Sequence, residues 1–377
     1  MIRVPLADGT WTSVELSPPR AWEEHPRPHA SRVLFAAAHV AADPLGDNTV
    51  DWESTLAFRR HLFRYGMGVA EAMDTAQRNM GLDWPTAREL ISRSAAQASA
   101  EGARIASGAG TDHAPDDVTL DGVIAAYEEQ VAFVEDAGSR VIVMASRHLA
   151  RTARSADDYH KVYGTILRQV REPVILHWLG EAFDPNLTGY WGSTDLATAT
   201  ATFLDLVREH AAAIDGVKVS LLSAEHEVAL RAALPDSVRL YTGDDFHYPE
   251  LIRGDGVRHS DALLGAFAAV APAASAAVAA LDRGDLAGYD AEMAGTLALS
   301  RHLFSAPTYY YKTGIAFLAW LCGHQPGFTM LGGLQSARSV PHLARVFVLA
   351  DAARLLPDPD LAAHRLRTWL ETAGVAV

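Results

Sequence analysis

Lys218 stands in the apolar run Ile214-Asp215-Gly216-Val217-Lys218-Val219-Ser220-Leu221-Leu222, and it is one of three lysines in 377 residues. Arginine supplies the remaining Lys+Arg positions. Arginine stays protonated at any working pH, whereas lysine loses its proton readily when buried. A lysine on a buried strand either snorkels its ammonium to solvent or becomes a neutral amine. A neutral amine is a nucleophile toward carbonyl carbon. Lowering its pKa from ~10.4 to ~7 takes roughly 4.6 kcal/mol of desolvation or charge repulsion, which is large but within the range known for buried lysines.

Other proton-active side chains also follow apolar runs. In chain order they are His39, Asp74 with Thr75, Asp112 with His113, Ser146-Arg147-His148, His177-Trp178, Lys218, and Asp244-Asp245 with His247. Seven apolar runs ending in polar groups fit strands whose C-terminal ends open on one shared mouth.

Strands that could present them fall at 33–38, 68–73, 103–107, 140–145, 173–178, 216–220, 238–242 and 262–268, short and apolar on both faces as buried parallel strands are. Helical patterns intervene at 52–65, 85–100, 120–136, 156–169, 194–213 and 224–233. Eight strands alternating with helices is the count of an α/β (β/α)8 TIM barrel. A doubly wound sheet needs a glycine-rich loop after its first strand, and Ala36-Ala37-Ala38-His39-Val40 is not one. Residues 1–30 form a short N-terminal extension: a hairpin of 2–6 and 10–16 about Asp8-Gly9, then a stretch with Pro18, Pro19, Pro26 and Pro28. The barrel is expected over 31–271. A C-terminal helical region is expected over 272–377, with helices at 273–282, 286–304, 309–322, 340–355 and 361–372.

Bulk properties narrow the function. A net charge of −14 argues against a nucleic-acid partner and against anionic membrane surfaces. The single cysteine, Cys322, excludes an internal disulfide and a cysteine zinc site. The longest apolar run, 262–281, carries Pro272 and Ser275 and is a poor membrane span. With no signal-peptide pattern at Met1-Ile2-Arg3-Val4-Pro5, a cytoplasmic protein is expected.

Two segments are more specific. Gly216-Val217-Lys218-Val219-Ser220 is followed by a helix and then by Val238-Arg239-Leu240-Tyr241-Thr242-Gly243-Asp244-Asp245. Upstream lies Pro173-Val174-Ile175-Leu176-His177-Trp178-Leu179-Gly180; downstream lie Leu281-Asp282-Arg283-Gly284-Asp285 and Pro307-Thr308-Tyr309-Tyr310-Tyr311-Lys312. In order and spacing, over roughly residues 30–355, the chain resembles a divergent branch of the dihydrodipicolinate synthase / N-acetylneuraminate lyase superfamily. The resemblance implies a class I lyase or aldolase with Lys218 as the Schiff-base lysine and no cofactor beyond that covalent imine. It also implies a homodimer or homotetramer.

The departures carry information too. The family's proton-transferring tyrosine is replaced by His177, whose imidazole could shuttle protons near neutral pH. The family's carboxylate-binding loop corresponds to Met73-Asp74-Thr75-Ala76-Gln77; it keeps Thr75 but places Asp74 where a substrate carboxylate would be repelled. Asp74 would welcome the hydroxyls of a neutral keto-sugar. Lys218, His177 and Thr75 are thus the expected catalytic set, with Asp74, His39, Arg147, Gly243 and Asp244 around the substrate. Tyr309-Tyr310-Tyr311 and Lys312 read as appendage structure, and Lys161 as surface.

The expected function is a Schiff-base-forming lyase or aldolase acting on a small keto-sugar or keto-acid-type carbonyl compound. One alternative is a barrel isomerase, hydrolase or aldolase using a divalent metal held by His39, Asp112, His113, His177 and His247, although no close pair such as His-x-His is present. A sugar-binding barrel without catalysis is the other.

Overall fold

The computed structural model of the chain describes residues 1–375. Its first two strands, β1 (Ile2–Pro5) and β2 (Trp11–Val14), form an antiparallel hairpin. The next eight are parallel and close into a barrel: β3 (Leu34–Ala37), β4 (Gly68–Glu71), β5 (Ile105–Ala109), β6 (Arg140–Val143), β7 (Val174–Leu179), β8 (Ile214–Ser220), β9 (Arg239–Thr242) and β10 (Asp261–Leu264). Around the barrel the strands run in sequence order, with β10 pairing β3 to close it. This is a (β/α)8 barrel with an N-terminal hairpin and C-terminal helices.

Strand alternation divides the core in two. Val217, Val219, Leu240 and Leu264 face outward into the layer shared with the helices, while Phe35, Ile142, Ile175, Tyr241 and Leu263 fill the interior. Small residues make room for the large interior rings. A methyl on Gly68 would lie 2.6 Å from the Phe35 ring, and one on Gly216 would lie 2.6 Å from the Tyr241 ring.

Helices are fastened to strands by buried polar groups as well as apolar contact. On the outer face of β4, Glu71 receives Nε and Nη2 of Arg59 at 2.9 and 2.8 Å, and neither side chain is exposed. Arg59 comes from the helix Trp52–Arg64, whose N-terminus is capped by Asp51. Its remaining nitrogen donates to the carbonyls of Thr55 and His39, so one guanidinium ties this helix to β4 and to the segment leaving β3.

Beyond β10 the chain is helical: Phe267–Asp282, Leu286–Leu303, Tyr311–Leu321, Val340–Ala352 and Pro359–Thr372. The last barrel strand ends at Leu264, shorter than expected, and the apolar run continues as the helix Phe267–Asp282. That helix bends at Val270, two residues before Pro272, because proline cannot supply the interior N–H. The barrel-to-appendage boundary expected at 271/272 therefore lies inside one helix. The hairpin docks on the appendage, burying Ile2 and Val4, and Asp351 accepts the Ser17 N–H at 3.1 Å. No described helix is long and apolar enough to cross a membrane.

Breaking a buried ion pair strands the surviving charge. Glu71→Gln should therefore lower unfolding free energy by about 3–5 kcal/mol, measured by urea denaturation.

Candidate active site

Lys218 is flanked in register by His177 on β7 and Tyr241 on β9. Its neighbours Val217 and Val219 point outward, so alternation turns Lys218 into the barrel. It is 7 % exposed. Among the described residues it has no hydrogen bond and no carboxylate within 4.0 Å. Burial pulls its pKa below the ordinary lysine value, against the opposing charges of Asp74 and Asp245. Gly243, just past β9, leaves the amine its path: a methyl there would lie 3.0 Å from Lys218 Cε, 2.8 Å from the Val219 carbonyl and 2.1 Å from Ser220 Oγ.

His177 is buried beside this amine. Its Nε2 lies 3.3 Å from Ser220 Oγ, and its Nδ1 is buried without a partner. Burial, reinforced by the Lys218 charge, holds the imidazole well below its usual range. Burial thus favours the uncharged form of the ring. Ser220 was not singled out from the sequence, although Lys218 and Ser220 at i and i+2 on one strand share a face.

Of the two aspartates after Gly243, the second acts on the amine. Asp244 is consumed by its own loop, accepting the N–H groups of Phe246 and His247 at 2.8 and 3.1 Å and bonding His247 Nδ1 at 2.9 Å. Asp245 is buried, receives the Ala266 N–H at 2.9 Å, and has its carboxyl pushed up by burial against the pull of Lys218.

Across the barrel, β4 ends at the short turn Asp74–Ala76. Thr75 Oγ1 lies 2.7 Å from the hydroxyl of Tyr311, whose ring stacks on Phe304 with centroids 4.2 Å apart. Gly265, after β10, gives these groups room, since a methyl there would lie 3.0 Å from both rings and 3.3 Å from Thr75 Oγ1. Lys312 follows on the same helix, 2 % exposed, with Nζ 3.2 Å from Met80 Sδ. Burial pulls it down to about 8, opposed mainly by Asp74, while Arg147 adds to the lowering and Asp184 opposes it. Tyr311 and Lys312, read from the sequence as appendage structure, thus reach the mouth. The available signal was the rarity of lysine.

The remaining expected residues do not converge with them. His39 is buried against Phe58, bonded through Nε2 to Gln325 Oε1 at 2.9 Å, and pulled down to about 3 by burial. Arg147 pairs with Asp184. Asp112 is held by Arg78 and by Gln130 Nε2 at 3.0 Å, and His113 lies between Gln130 and Glu129. His247 belongs to Asp244. The expected metal-ligand set is therefore engaged with other partners, Asp112 and His113 sharing Gln130. Among the described residues the one group of three such side chains with ligand atoms within 4.8 Å of one another is His25, His29 and Asp282, on the extension and the end of helix Phe267–Asp282.

A family model described as "Protein of unknown function (DUF993)" matches residues 2–375. The chain belongs to the DUF993 family. No curated protein matches it by sequence. Its fold is that of the dihydrodipicolinate synthase family. YagE, a prophage protein of that family from E. coli solved in complex with pyruvate, superposes with a TM-score of 0.67 at 16% identity, covering 86% of this chain and 99% of its own. Dihydrodipicolinate synthase from Aquifex aeolicus gives 0.60 at 13% identity over 92% of this chain and 99% of its own. The enzyme from Bacillus clausii gives 0.65 at 13% over 86% and 98%. This DUF993 chain therefore keeps the architecture while diverging widely in sequence, as the motif comparison implied.

Gly243→Ala tests the space around the amine. The added methyl must displace Lys218 and Ser220, so borohydride-dependent labelling of Lys218 by ketones should fall at least tenfold while the far-ultraviolet circular dichroism spectrum is retained.

Proposed function

We propose that this protein is a class I lyase or aldolase that binds a small ketone as an imine on Lys218. The observation that carries the reading is the Lys218 amine itself: turned into the barrel, with no carboxylate of the described residues within 4.0 Å, and given room by Gly243. An amine that sheds its proton readily can attack a ketone carbon. Water then leaves, and the protonated imine draws electrons from the neighbouring bond so that it can break or form. The pyruvate bound to YagE, a protein of the same fold, supports a ketone ligand. His177, whose Nδ1 is buried without a partner among the described residues, would bond a substrate oxygen. A keto-sugar or keto-sugar acid fits the hydroxyl and charged groups around the mouth, and the imine would be the only covalent group the chemistry needs.

Sodium borohydride with a panel of keto-sugars, keto-sugar acids and pyruvate should add one reduced substrate to the protein, read by intact mass and located on Lys218 by peptide mapping. Lys218→Arg should abolish both adduct and turnover. Turnover by that variant, or an adduct confined to another lysine, would overturn the reading.

The pH dependence has a definite sign. A lysine with a lowered pKa gains its reactive neutral form as pH rises, so adduct formation should increase through a midpoint well below the ordinary 10.5. A midpoint near the ordinary value would place the reacting amine in water.

A further inference from the structure

An imine needs a group that takes a proton from the carbon beside it. His177 lies beside the amine on the neighbouring strand, with Nε2 turned to Ser220 Oγ. The opposite wall offers a carboxylate. β4 and β8 lie four places apart in the closed order of eight, whichever way the barrel is followed, so they face each other across the mouth. Leaving β4, the backbone passes through Ala72 with φ +52° and turns at Asp74–Ala76. The helix Tyr311–Leu321 packs on this turn and fixes it through the Thr75–Tyr311 hydrogen bond at 2.7 Å. Asp74 is left half-buried. Its carboxylate accepts no hydrogen bond from the described residues, and its charge bears on Lys218, Lys312 and the Tyr311 phenol together.

Lys312 makes no ion pair with Asp74 within 4.0 Å: its Nζ lies 3.2 Å from Met80 Sδ and 5.1 Å from the centroid of the Tyr311 ring. Arg147 is paired with Asp184. The Asp74 carboxylate is thus left unpaired among the described residues.

We propose that Asp74 is the general base of the reaction. The inference rests on the imine reading above. Once Lys218 has added to the ketone and water has left, Asp74 removes a proton from the adjacent carbon. The C–H electron pair becomes the enamine C=C, and the C=N pair returns to nitrogen. Asp74, now a neutral acid, returns the proton to carbon or passes it to solvent.

The test follows solvent deuterium entering the carbon next to the carbonyl, by proton NMR. The probes are pyruvate, dihydroxyacetone and 2-keto-3-deoxy sugar acids, with borohydride trapping in parallel. Asp74→Asn should still form the Lys218 adduct while exchange falls at least ~100-fold, the scale of one general base. Should Asp74→Asn fail to fold, Asp74→Ser is read in its place by the same two measurements. Tyr311→Phe should change exchange only a few-fold.

An intact adduct with parental exchange in Asp74→Asn overturns the assignment. So does loss of exchange in Tyr311→Phe with Asp74→Asn unaffected. These outcomes leave the imine reading standing. Absence of any adduct on Lys218 in the parent protein removes that reading and this inference with it.

Discussion

The removal of one amine from water organises this molecule. Lys218 enters a barrel interior whose other occupants are mostly apolar, and among the described residues no carboxylate lies within 4.0 Å of it. Low polarizability around a charge penalises every ionised group there, not lysine alone. The same environment neutralises the imidazole of His177 and raises the carboxyl of Asp245. Three side chains that would titrate far apart in water are thereby pressed toward their uncharged forms. The interior glycines serve this arrangement by volume: Gly216 and Gly243 admit the Tyr241 ring and the Lys218 chain where any side chain would collide.

The appendage is part of the same electrostatic unit. Its helix Tyr311–Leu321 brings a phenol and a second amine against the turn after β4, so the mouth is completed by a segment outside the barrel strands. The molecule is acidic overall, yet two of its three lysines are buried at this mouth. Arginine and carboxylates supply most of the surface charge, and the third lysine, Lys161, pairs there with Asp121.

Much of this was legible from residue order. Short runs apolar on both faces, alternating with helical patterns, located all eight barrel strands, and the helices Leu120–Asp136 and Ala224–Ala233 begin and end where the pattern does. Lys218 and His177 were found because a charged or titratable residue inside an apolar run is conspicuous. The choice between Asp244 and Asp245 was not legible, because loop hydrogen bonds decide which aspartate is spent on backbone N–H groups. Nor was the Thr75–Tyr311 contact, whose partners are separated by 236 residues. His39, Asp112 and His113 look reactive in a string of letters, but each meets a polar partner that only the three-dimensional arrangement supplies.

The N-terminal hairpin has a consequence for how the molecule is made. β1 and β2 leave the ribosome long before the helix Val340–Ala352, on which they dock and whose Asp351 holds Ser17. That helix in turn packs against Tyr311–Leu321. The nascent hairpin must wait, its apolar face uncovered, until nearly the whole chain has been translated. Docking then closes the chain upon itself and reports that the segment bearing Tyr311 and Lys312 has arrived.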